Sequence, residues 1–378
     1  MPSIPLPPPR CWAEIDCAAL RQNANVLRAL AGEKCDVMAI VKADGYGHGL
    51  EKVGRVLAEV GISWFGVANV EEALRLGDTI GEFDGILVLS AAACDAERTA
   101  IVAHGFSGTV SSFEEVEAYA RVAKELSQSA RLHAVVDTGM GRMGIGEREI
   151  GALIDAIGQH SELQLEGIAT HFPSADEDAE FTNRQIDSFN QIVASLEIPD
   201  GCHFHLANSA GVIGFQKKMP QAALIRPGLA IYGISPLPEI PTGLKRALTL
   251  KARVTLVREL NSGASVSYGR TFIADKKMRV ATLAAGYGDG YPRSLSGSGI
   301  EVLIGGKRCP LIGRVTMDQI VVDVSALDSD EVQSGDEAVL IGNQGAESIS
   351  TAEFAEKAGT IPWEILTSLT RRVKRVYC

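Results

Sequence analysis

Short apolar runs alternate with longer segments of helical spacing between residues 36 and 226. This alternation predicts strands and helices in turn. The eight predicted strands are DVMAIVK (36 to 42), WFGVANV (64 to 70), DGILVLS (84 to 90), FSGTVSS (106 to 112), RLHAVVD (131 to 137), LQLEGIATH (163 to 171), CHFHLAN (202 to 208) and ALIR (223 to 226). Most carry Val, Ile or Leu on both faces, as parallel strands covered on both sides require. FEEVEAYARVAKEL (113 to 126) is typical of the helices between them, and Phe113, Val116, Ala120, Val122 and Ala123 can share one helical face.

Eight strands with helical returns favour an α/β fold in which the strands close into a (β/α)8 TIM-like barrel. An open doubly wound sheet is the competing arrangement. PLPEIPTG (236 to 243) is typical of a linker, and short alternating strands follow it, as in KARVTLVREL, where Ala252, Val254 and Leu256 share one face. We therefore expect a barrel over 12–241, a C-terminal all-β domain over 242–378, and an N-terminal extension over 1–11 that packs on the β domain.

Composition excludes several classes of function. Asp plus Glu exceed Lys plus Arg by 47 to 36, which gives a net charge of −11 without a basic cluster, so a nucleic-acid partner is not expected. No run of roughly 18 apolar residues is present, and the proline-rich start lacks an apolar core, so we expect a cytoplasmic protein without membrane contact. The seven scattered cysteines indicate reduced thiols, and no cluster suggests a metal.

Several polar residues fall where predicted strands end. In a barrel these ends converge on one mouth, where active sites lie. The residues are Lys42, Arg142 in the loop DTGMGR, His171, Asn208 with Ser209, and Arg226. A structural role explains each of them alone, but their common location favours a site.

The chemistry of these residues suggests a phosphate-bearing aldehyde. A lysine among apolar neighbours loses solvation of its charged form, which frees the amine to attack an aldehyde. Small residues in Asn208-Ser209-Ala210-Gly211 and Arg226-Pro227-Gly228 allow close approach of a phosphate to backbone N–H groups. Pyridoxal phosphate (PLP) fits both features.

At this point the motifs match a known family. The chain resembles bacterial alanine racemases, PLP enzymes of fold type III, over nearly its whole length. The matching stretches, in the order of the family, are CWAEIDCAALRQNANVLR (11 to 28), AIVKADGYGHG (39 to 49), VDTGMGRMG (136 to 144), HF (171 to 172), HLANSAG (205 to 211), IRPGLAIYG (225 to 233), VSYGRTF (266 to 272), AAGYGDGYPR (284 to 293) and GRVTMDQIVVDV (313 to 324).

The resemblance implies a head-to-tail homodimer with shared active sites and an amino-acid substrate. It implies that Lys42 forms the imine with PLP and is one catalytic base, while Tyr268 of the other subunit is the second base. The implied PLP ligands are Tyr46, Arg142, His171, Asn208, Ser209, Arg226, Gly228, Leu229 and Tyr232. The implied substrate residues are Arg142, Met317, Asp318, Tyr287 and Trp363.

Two bases on opposite faces of a planar carbanion invert Cα without turning the substrate over. The resemblance thus implies interconversion of L- and D-alanine, which supplies D-alanine for peptidoglycan. Arg226 at the pyridine nitrogen disfavours the related decarboxylases, which place a carboxylate there. PLP-binding barrel proteins without turnover lack the β domain. A racemase of serine or of broader specificity stays open.

Three positions depart from the family pattern. Val135 stands where many members have a carbamylated lysine that steadies the arginine equivalent to Arg142. Trp363 stands where a tyrosine usually borders the pocket for the substrate side chain, and it lacks the hydroxyl and is bulkier. Thr316 also replaces a more usual cysteine. These changes leave substrate size and the anchoring of Arg142 undecided.

Overall fold

The computed structural model of the protein describes residues 8–219 and 222–378. Residues 1 to 7 of the predicted extension lie outside the described residues. Two compact units divide the chain: one comprises Ala18–Lys245, and the other Arg246–Cys378 together with the described part of Met1–Cys17.

The first unit is a parallel barrel, as predicted. Its strands are Asp36–Ile40, Trp64–Val67, Gly85–Ala91, Ser107–Val110, Ala130–Asp137, Leu163–Ala169, His203–His205 and Leu224–Ile225, and the eighth pairs with the first. Backbone N–H groups of Ala223 and Arg226 donate to the carbonyls of Phe204 and Ala207 at 2.9 and 2.8 Å. These bonds join the eighth strand to the seventh, so the open-sheet alternative is wrong.

Helices connect the barrel strands. Their bounds are Cys17–Ala31, Leu50–Glu59, Val70–Ile80, Asp95–Ala103, Phe113–Leu126, Ile150–Gly158, Ala179–Ala194 and Ser209–Phe215, with 3-10 turns at Gln216–Lys218 and Leu229–Tyr232 and a short strand at Ile145–Gly146. Helix Phe113–Leu126 buries Val116, Ala120, Val122 and Ala123 as predicted. Phe113 is 39% exposed instead, because the first helical residue projects beyond the packed face.

The second unit contains a nine-stranded sheet. In spatial order its strands are Glu347–Ile349, Glu337–Gln344, Glu301–Ile304, Lys307–Ile312, Ile320–Asp323, Met278–Leu283, Leu248–Leu260, Cys11–Ile15 and Lys374–Tyr377. Ser265–Val266 and Phe272–Ile273 form a separate hairpin. The helices are Thr351–Ala358 and Pro362–Thr367, with 3-10 turns at Tyr268–Arg270, Tyr287–Asp289 and Arg293–Leu295. The predicted β-rich C-terminal region is therefore confirmed.

One face of the long strand Leu248–Leu260 differs from the prediction. Ala252 and Val254 are buried, but Leu256 is 48% exposed. The pairing register shifts between Val254 and Leu256, and such a bulge turns the following side chains to the other face. The prediction that all three residues share one face is wrong for Leu256.

Candidate functional site

A left-handed turn follows the first barrel strand and carries Lys42. Ala43, Asp44 and Tyr46 have φ angles of 52°, 56° and 50°. Non-glycine residues rarely adopt this conformation, because Cβ approaches the following carbonyl oxygen. The strand ends at Ile40, so Lys42 lies two residues beyond its end and begins the turn. The abrupt change of direction places the lysine at the carboxyl end of the barrel.

A carboxylate from the helix Val70–Ile80 holds this turn. Glu72 accepts hydrogen bonds from the backbone N–H of Ala43 at 2.7 Å and from that of Ala68 at 2.9 Å. Asp44 accepts from the N–H of Leu50 at 3.2 Å. Side-chain acceptors therefore satisfy backbone N–H groups in the turn after the first barrel strand and at the end of the second strand, and they offset the unfavourable backbone angles.

The surroundings of Lys42 favour its neutral amine. Burial lowers the pKa of Lys42, the positive charges of Arg142 and Arg226 lower it further, and Glu72 acts in the opposite direction. A neutral amine is both a nucleophile and a proton acceptor. The lowered pKa of Lys42 therefore favours attack on a carbonyl carbon or removal of a proton.

Arg226 follows the eighth strand and is buried at the same end of the barrel. One Nη2–H donates to the carbonyl of Thr170 at 2.7 Å, and Nη2 lies 3.1 Å from Nδ1 of His171. Burial and then Arg142 lower the pKa of Arg226 to about 10. Burial, Arg226, Arg142 and Lys42 lower the pKa of His171 to about 3, so its imidazole is neutral and accepts from the guanidinium.

Backbone amides and hydroxyls form a cradle beside these residues. The Ser209 hydroxyl accepts from the N–H groups of Gly228 and Ala230 at 3.0 and 3.1 Å. A Cβ on Gly228 would lie 2.9 Å from Cζ of Tyr46, so only glycine fits against that ring. Burial raises the pKa of Tyr46 to about 12, which keeps its hydroxyl protonated as a donor. Converging donors of this kind suit an anion.

The remaining predicted residues of the barrel support this cradle or border it. The ring of Tyr232 stacks on Tyr46 with centroids 5.0 Å apart, and its hydroxyl donates to the carbonyl of Ile40 at 3.2 Å. Asn208 caps the helix that begins at Ser209 by accepting from the N–H of Gly211 at 3.0 Å. Leu229 is buried and begins a 3-10 turn.

The loop DTGMGR is shaped by its aspartate. Asp137 Oδ1 accepts from the N–H groups of Gly139, Met140 and Gly141 at 2.9, 2.8 and 3.1 Å. Arg142 at the end of this loop is exposed and forms no salt bridge within the part of the chain that the structure describes. Its charge still lowers the pKa values of Lys42, His171 and Arg226, so it belongs to the same electrostatic site.

The other five predicted residues lie in the second unit. Tyr268, Met317 and Tyr287 are 72%, 52% and 43% exposed, which is unusual for large apolar side chains. Asp318 is exposed, and Trp363 is half-buried at the start of the helix Pro362–Thr367. The structure therefore separates the predicted set into ten barrel residues and five residues of the sheet unit.

Two loops of the sheet unit hold each other in place. The N–H of Tyr287 donates to the carbonyl of Thr316 at 3.0 Å, and that of Gly288 to the carbonyl of Met317 at 2.9 Å. Arg372 joins the same loops, because its guanidinium lies 3.3 Å from Asp289 and 2.7 Å from Asp318. Tyr287 and Met317 are thus presented by one rigid assembly.

Three residues that contact the predicted set were missed from the sequence. Glu72 supports the turn of Lys42, His205 contacts Arg226, and Arg372 supports Asp318. His205 alone carried a signal, since it stands inside a strand beside the motif that contains Asn208 and Ser209. Glu72 and Arg372 reach their partners from helical and loop positions that no periodicity marks.

Comparison with known proteins agrees with this geometry. The family models described as "Alanine racemase, N-terminal domain" and "Alanine racemase, C-terminal domain" match residues 15–236 and 247–377. An alanine racemase of Symbiobacterium thermophilum is 40% identical over 373 residues, covering 97% of this chain and 96% of the relative. One of Halothermothrix orenii is 38% identical over 374 residues, with coverage of 97% and 96%.

Solved structures show the same fold. Alanine racemase of Bartonella henselae, solved with covalently bound pyridoxal phosphate, has a TM-score of 0.89 at 31% identity and covers 98% of this chain and 100% of its own. The enzyme from a D-cycloserine-producing Streptomyces lavendulae also has a TM-score of 0.89, at 34% identity and with coverage of 99% and 98%. Both domains, their order and nearly the full length are shared, so the chain belongs to the alanine racemase family.

Proposed function

We propose that this protein is an alanine racemase that uses PLP to interconvert L- and D-alanine. The observation that carries the proposal is the pairing of a lysine whose neutral amine is favoured with an anion cradle at the same end of the barrel. Membership of the alanine racemase family over nearly the full length of both domains supports it.

The residues at the barrel mouth fit PLP. Its phosphate suits the hydroxyls of Tyr46 and Ser209. A Cβ at position 228 would fill the space beside the Tyr46 hydroxyl, and the N–H groups of Gly228 and Ala230 hold the Ser209 oxygen, which leaves the hydroxyl proton of Ser209 to donate. The neighbouring Leu229 and Tyr232 belong to the same turn. Lys42 would hold the aldehyde carbon, and Arg226 would face the ring nitrogen. When bound, PLP supplies a conjugated system that withdraws charge from the substrate Cα.

Lys42 and Tyr268 are proposed to move the proton on opposite sides of Cα. Lys42 would serve the D-side, as the family resemblance implies, and its lowered pKa favours the neutral amine that accepts a proton. Tyr268 would serve the L-side through its hydroxyl. When one of these groups removes a proton from Cα and the other delivers a proton from the opposite side, the configuration at Cα is inverted without rotation of the substrate.

We propose that Tyr268 comes from a partner subunit in a head-to-tail homodimer. The exposure of Tyr268, Met317 and Tyr287 supports this arrangement, since such a group of apolar side chains marks an interaction surface. Met317 and Asp318 of the partner would then receive the substrate carboxylate, and Tyr287 of the partner would border the entrance. Each barrel would need the sheet unit of the second subunit.

Arg226 favours racemisation over decarboxylation. A guanidinium keeps its proton even with its pKa at about 10, so Arg226 would hold the ring nitrogen of PLP by donating a hydrogen bond and would not transfer a proton to it. An unprotonated ring nitrogen would limit the charge that the cofactor can withdraw, which would favour proton exchange at Cα over side reactions. Its neighbour His171 is a neutral imidazole that accepts from Arg226, so it has no proton to give to the ring nitrogen from that side.

The substrate range depends on Trp363. Its indole is half-buried beside an exposed Ile361, and it lacks the hydroxyl usual in the family. We expect alanine to be preferred, with serine as the competitor to test. Because Val135 replaces the lysine that steadies this arginine in many family members, Arg142 would be held only by the loop that Asp137 shapes. We further propose that the protein is located in the cytoplasm, which cell fractionation would test. Its product would supply D-alanine for peptidoglycan synthesis.

The first experiment measures D-alanine formed from L-alanine by the purified, PLP-loaded protein, with serine and larger amino acids in parallel. Lys42→Ala should abolish both turnover and covalent PLP, whereas Lys124→Ala, at an exposed position of the helix Phe113–Leu126, should change neither. PLP binding without exchange of the α-hydrogen would contradict the proposal and indicate a carrier.

Site sharing has its own test. Mixed Lys42→Ala and Tyr268→Ala subunits should recover activity, because some hybrid dimers contain one intact site. Absence of recovery after proven subunit exchange would contradict the shared site but not racemisation itself.

A further inference from the structure

A continuous line of polar side chains runs through the barrel interior from Arg226. Nη1 of Arg226 contacts Nδ1 of His205 at 2.5 Å, and Nε2 of His205 lies 2.7 Å from Nδ1 of His133. Nε2 of His133 lies 3.0 Å from Oε2 of Glu166. All four side chains are buried. Buried polar groups connected in this way specify one arrangement of protons.

The direction of the line follows from its first member. A guanidinium N–H only donates, so Nδ1 of His205 accepts. A neutral imidazole has a single N–H, which must then be on Nε2 and point to Nδ1 of His133. By the same reasoning His133 carries its proton on Nε2 and donates to Glu166. Burial is the largest influence that lowers the pKa of both histidines, so both are neutral.

The far end of the line is a fixed negative charge. Burial opposes ionisation of Glu166, but hydrogen bonds from His133 and Ser107 and the charge of Arg131 lower its pKa overall. Arg131 lies 3.1 Å from Oε1, while His133 and the hydroxyl of Ser107 donate to Oε2. Both carboxylate oxygens therefore act as acceptors.

The backbone leaves space for this arrangement. A Cβ on Gly167, next to Glu166, would lie 2.6 Å from Cε1 of His133. Ser107 begins the fourth barrel strand and Arg131 is the second residue of the fifth, whereas Arg226 follows the eighth strand. The line thus connects the carboxyl end of the barrel with its amino end.

We propose that Glu166 and His133 are positioning residues that fix the tautomer of His205 and, through it, the orientation of Arg226 during turnover. The effect on turnover rests on the proposed racemase function, but the assignment of tautomers does not. If the line were reversed, His205 would present Nδ1–H to a guanidinium N–H, and two donors would face each other.

Glu166→Gln should reverse the line. Arg131 demands an acceptor, so the new amide oxygen should turn to Arg131 and the new NH2 group to Nε2 of His133. Removing the competing donor should restore the direction, since the amide oxygen in Arg131→Met/Glu166→Gln is free to face His133. Arg131→Met alone is the control for the loss of arginine, and Glu162→Gln, on a half-exposed neighbour, is the control for the loss of charge.

The measurement is ¹⁵N NMR of the histidine rings in the PLP-loaded enzyme, with kcat and KM for alanine in parallel. The wild type should show both buried histidines protonated on Nε2, with a nitrogen–nitrogen coupling across the bond from His205 to His133. Glu166→Gln should lose or reverse this pattern and lower kcat about tenfold or more, with a smaller change in KM. The double variant should recover the pattern and part of kcat.

Two results would overturn the inference. One is a wild-type spectrum in which Nδ1 of His205 is protonated. This result would decide the question even if Glu166→Gln does not fold. The other is Glu166→Gln with the wild-type ring signals and unchanged kcat. A wild type that does not racemise alanine would instead refute the proposed function, and the ring signals would still decide the tautomers.

Discussion

Removal of the Glu72 carboxylate tests how the turn of Lys42 is stabilised. Ala43, Asp44 and Tyr46 each adopt a left-handed conformation that costs roughly 1 to 2 kcal/mol. Glu72 offsets part of this cost by accepting from the N–H groups of Ala43 and Ala68. Its loss should therefore loosen the turn that places the lysine.

The expected magnitude follows from the two bonds. Hydrogen bonds to a charged group contribute about 1.5 to 3 kcal/mol each. Ala43 is exposed and Ala68 half-buried, so water recovers part of this energy. We expect Glu72→Ala to lower the free energy of unfolding by about 2 to 4 kcal/mol. Glu72→Gln should cost about half as much, because the amide retains one acceptor.

Urea unfolding gives the global effect, and hydrogen–deuterium exchange of residues 43 to 49 gives the local one. Glu71→Ala is the matched control, since Glu71 lies in the same first helical turn but is exposed. It removes the same charge near the helix N-terminus, which contributes less than about 1 kcal/mol. Equal destabilisation by both variants, or wild-type exchange in the turn of Glu72→Ala, would refute the role of the two hydrogen bonds.

Three further predictions concern other parts of the site. His171→Gln should make the free energy of unfolding less sensitive to acid. Burial and neighbouring cations lower the pKa of His171 from 6.5 to about 3 in the folded protein. Between these two values the unfolded chain binds one more proton than the folded protein, so the stability of the wild type falls as the pH drops through this range. Urea titrations from pH 7 to 4 with equal slopes for both proteins would contradict this. Gly228→Ala should weaken PLP binding about tenfold or more, measured by equilibrium dialysis, because the methyl would displace Tyr46; unchanged affinity would disprove the cradle. Arg372→Met should raise KM for alanine about tenfold, because it frees two loops, and the exposed Arg371→Met should not; equal kinetics would contradict the loop assembly.

The barrel could be predicted from sequence because its signal is local. Each strand is a short apolar run and each helix a segment with one apolar face, so windows of a few residues contain the information. All eight predicted strands are present, although most are shorter than predicted, as at Asp36–Ile40 and His203–His205. The motif residues of the barrel mouth were found for the same reason, since they follow these runs directly.

Other features depend on partners far along the chain. The strand Cys11–Ile15 was not predicted, because its neighbours in the sheet are Leu248–Leu260 and Lys374–Tyr377. The left-handed angles of Ala43 and Asp44 contradict local preference and need Glu72, which is 29 residues away. Leu256 depends on a bulge that the apolar pattern does not mark.

The positive charges at the barrel mouth suit the binding of an anion, but they lower the stability of the protein without a ligand. Arg142 and Arg226 lower the pKa of Lys42, and Arg142 lowers the pKa of Arg226, so like charges are held together at a cost to folding. The carboxylate of Glu72 raises the pKa of Lys42, and Glu166 is separated from Arg226 by two imidazoles. A bound phosphate would reverse the sign of this interaction. The same cations that destabilise the barrel alone would then stabilise its complex with an anionic ligand, which is the pattern expected of a binding site and not of a structural ion-pair network.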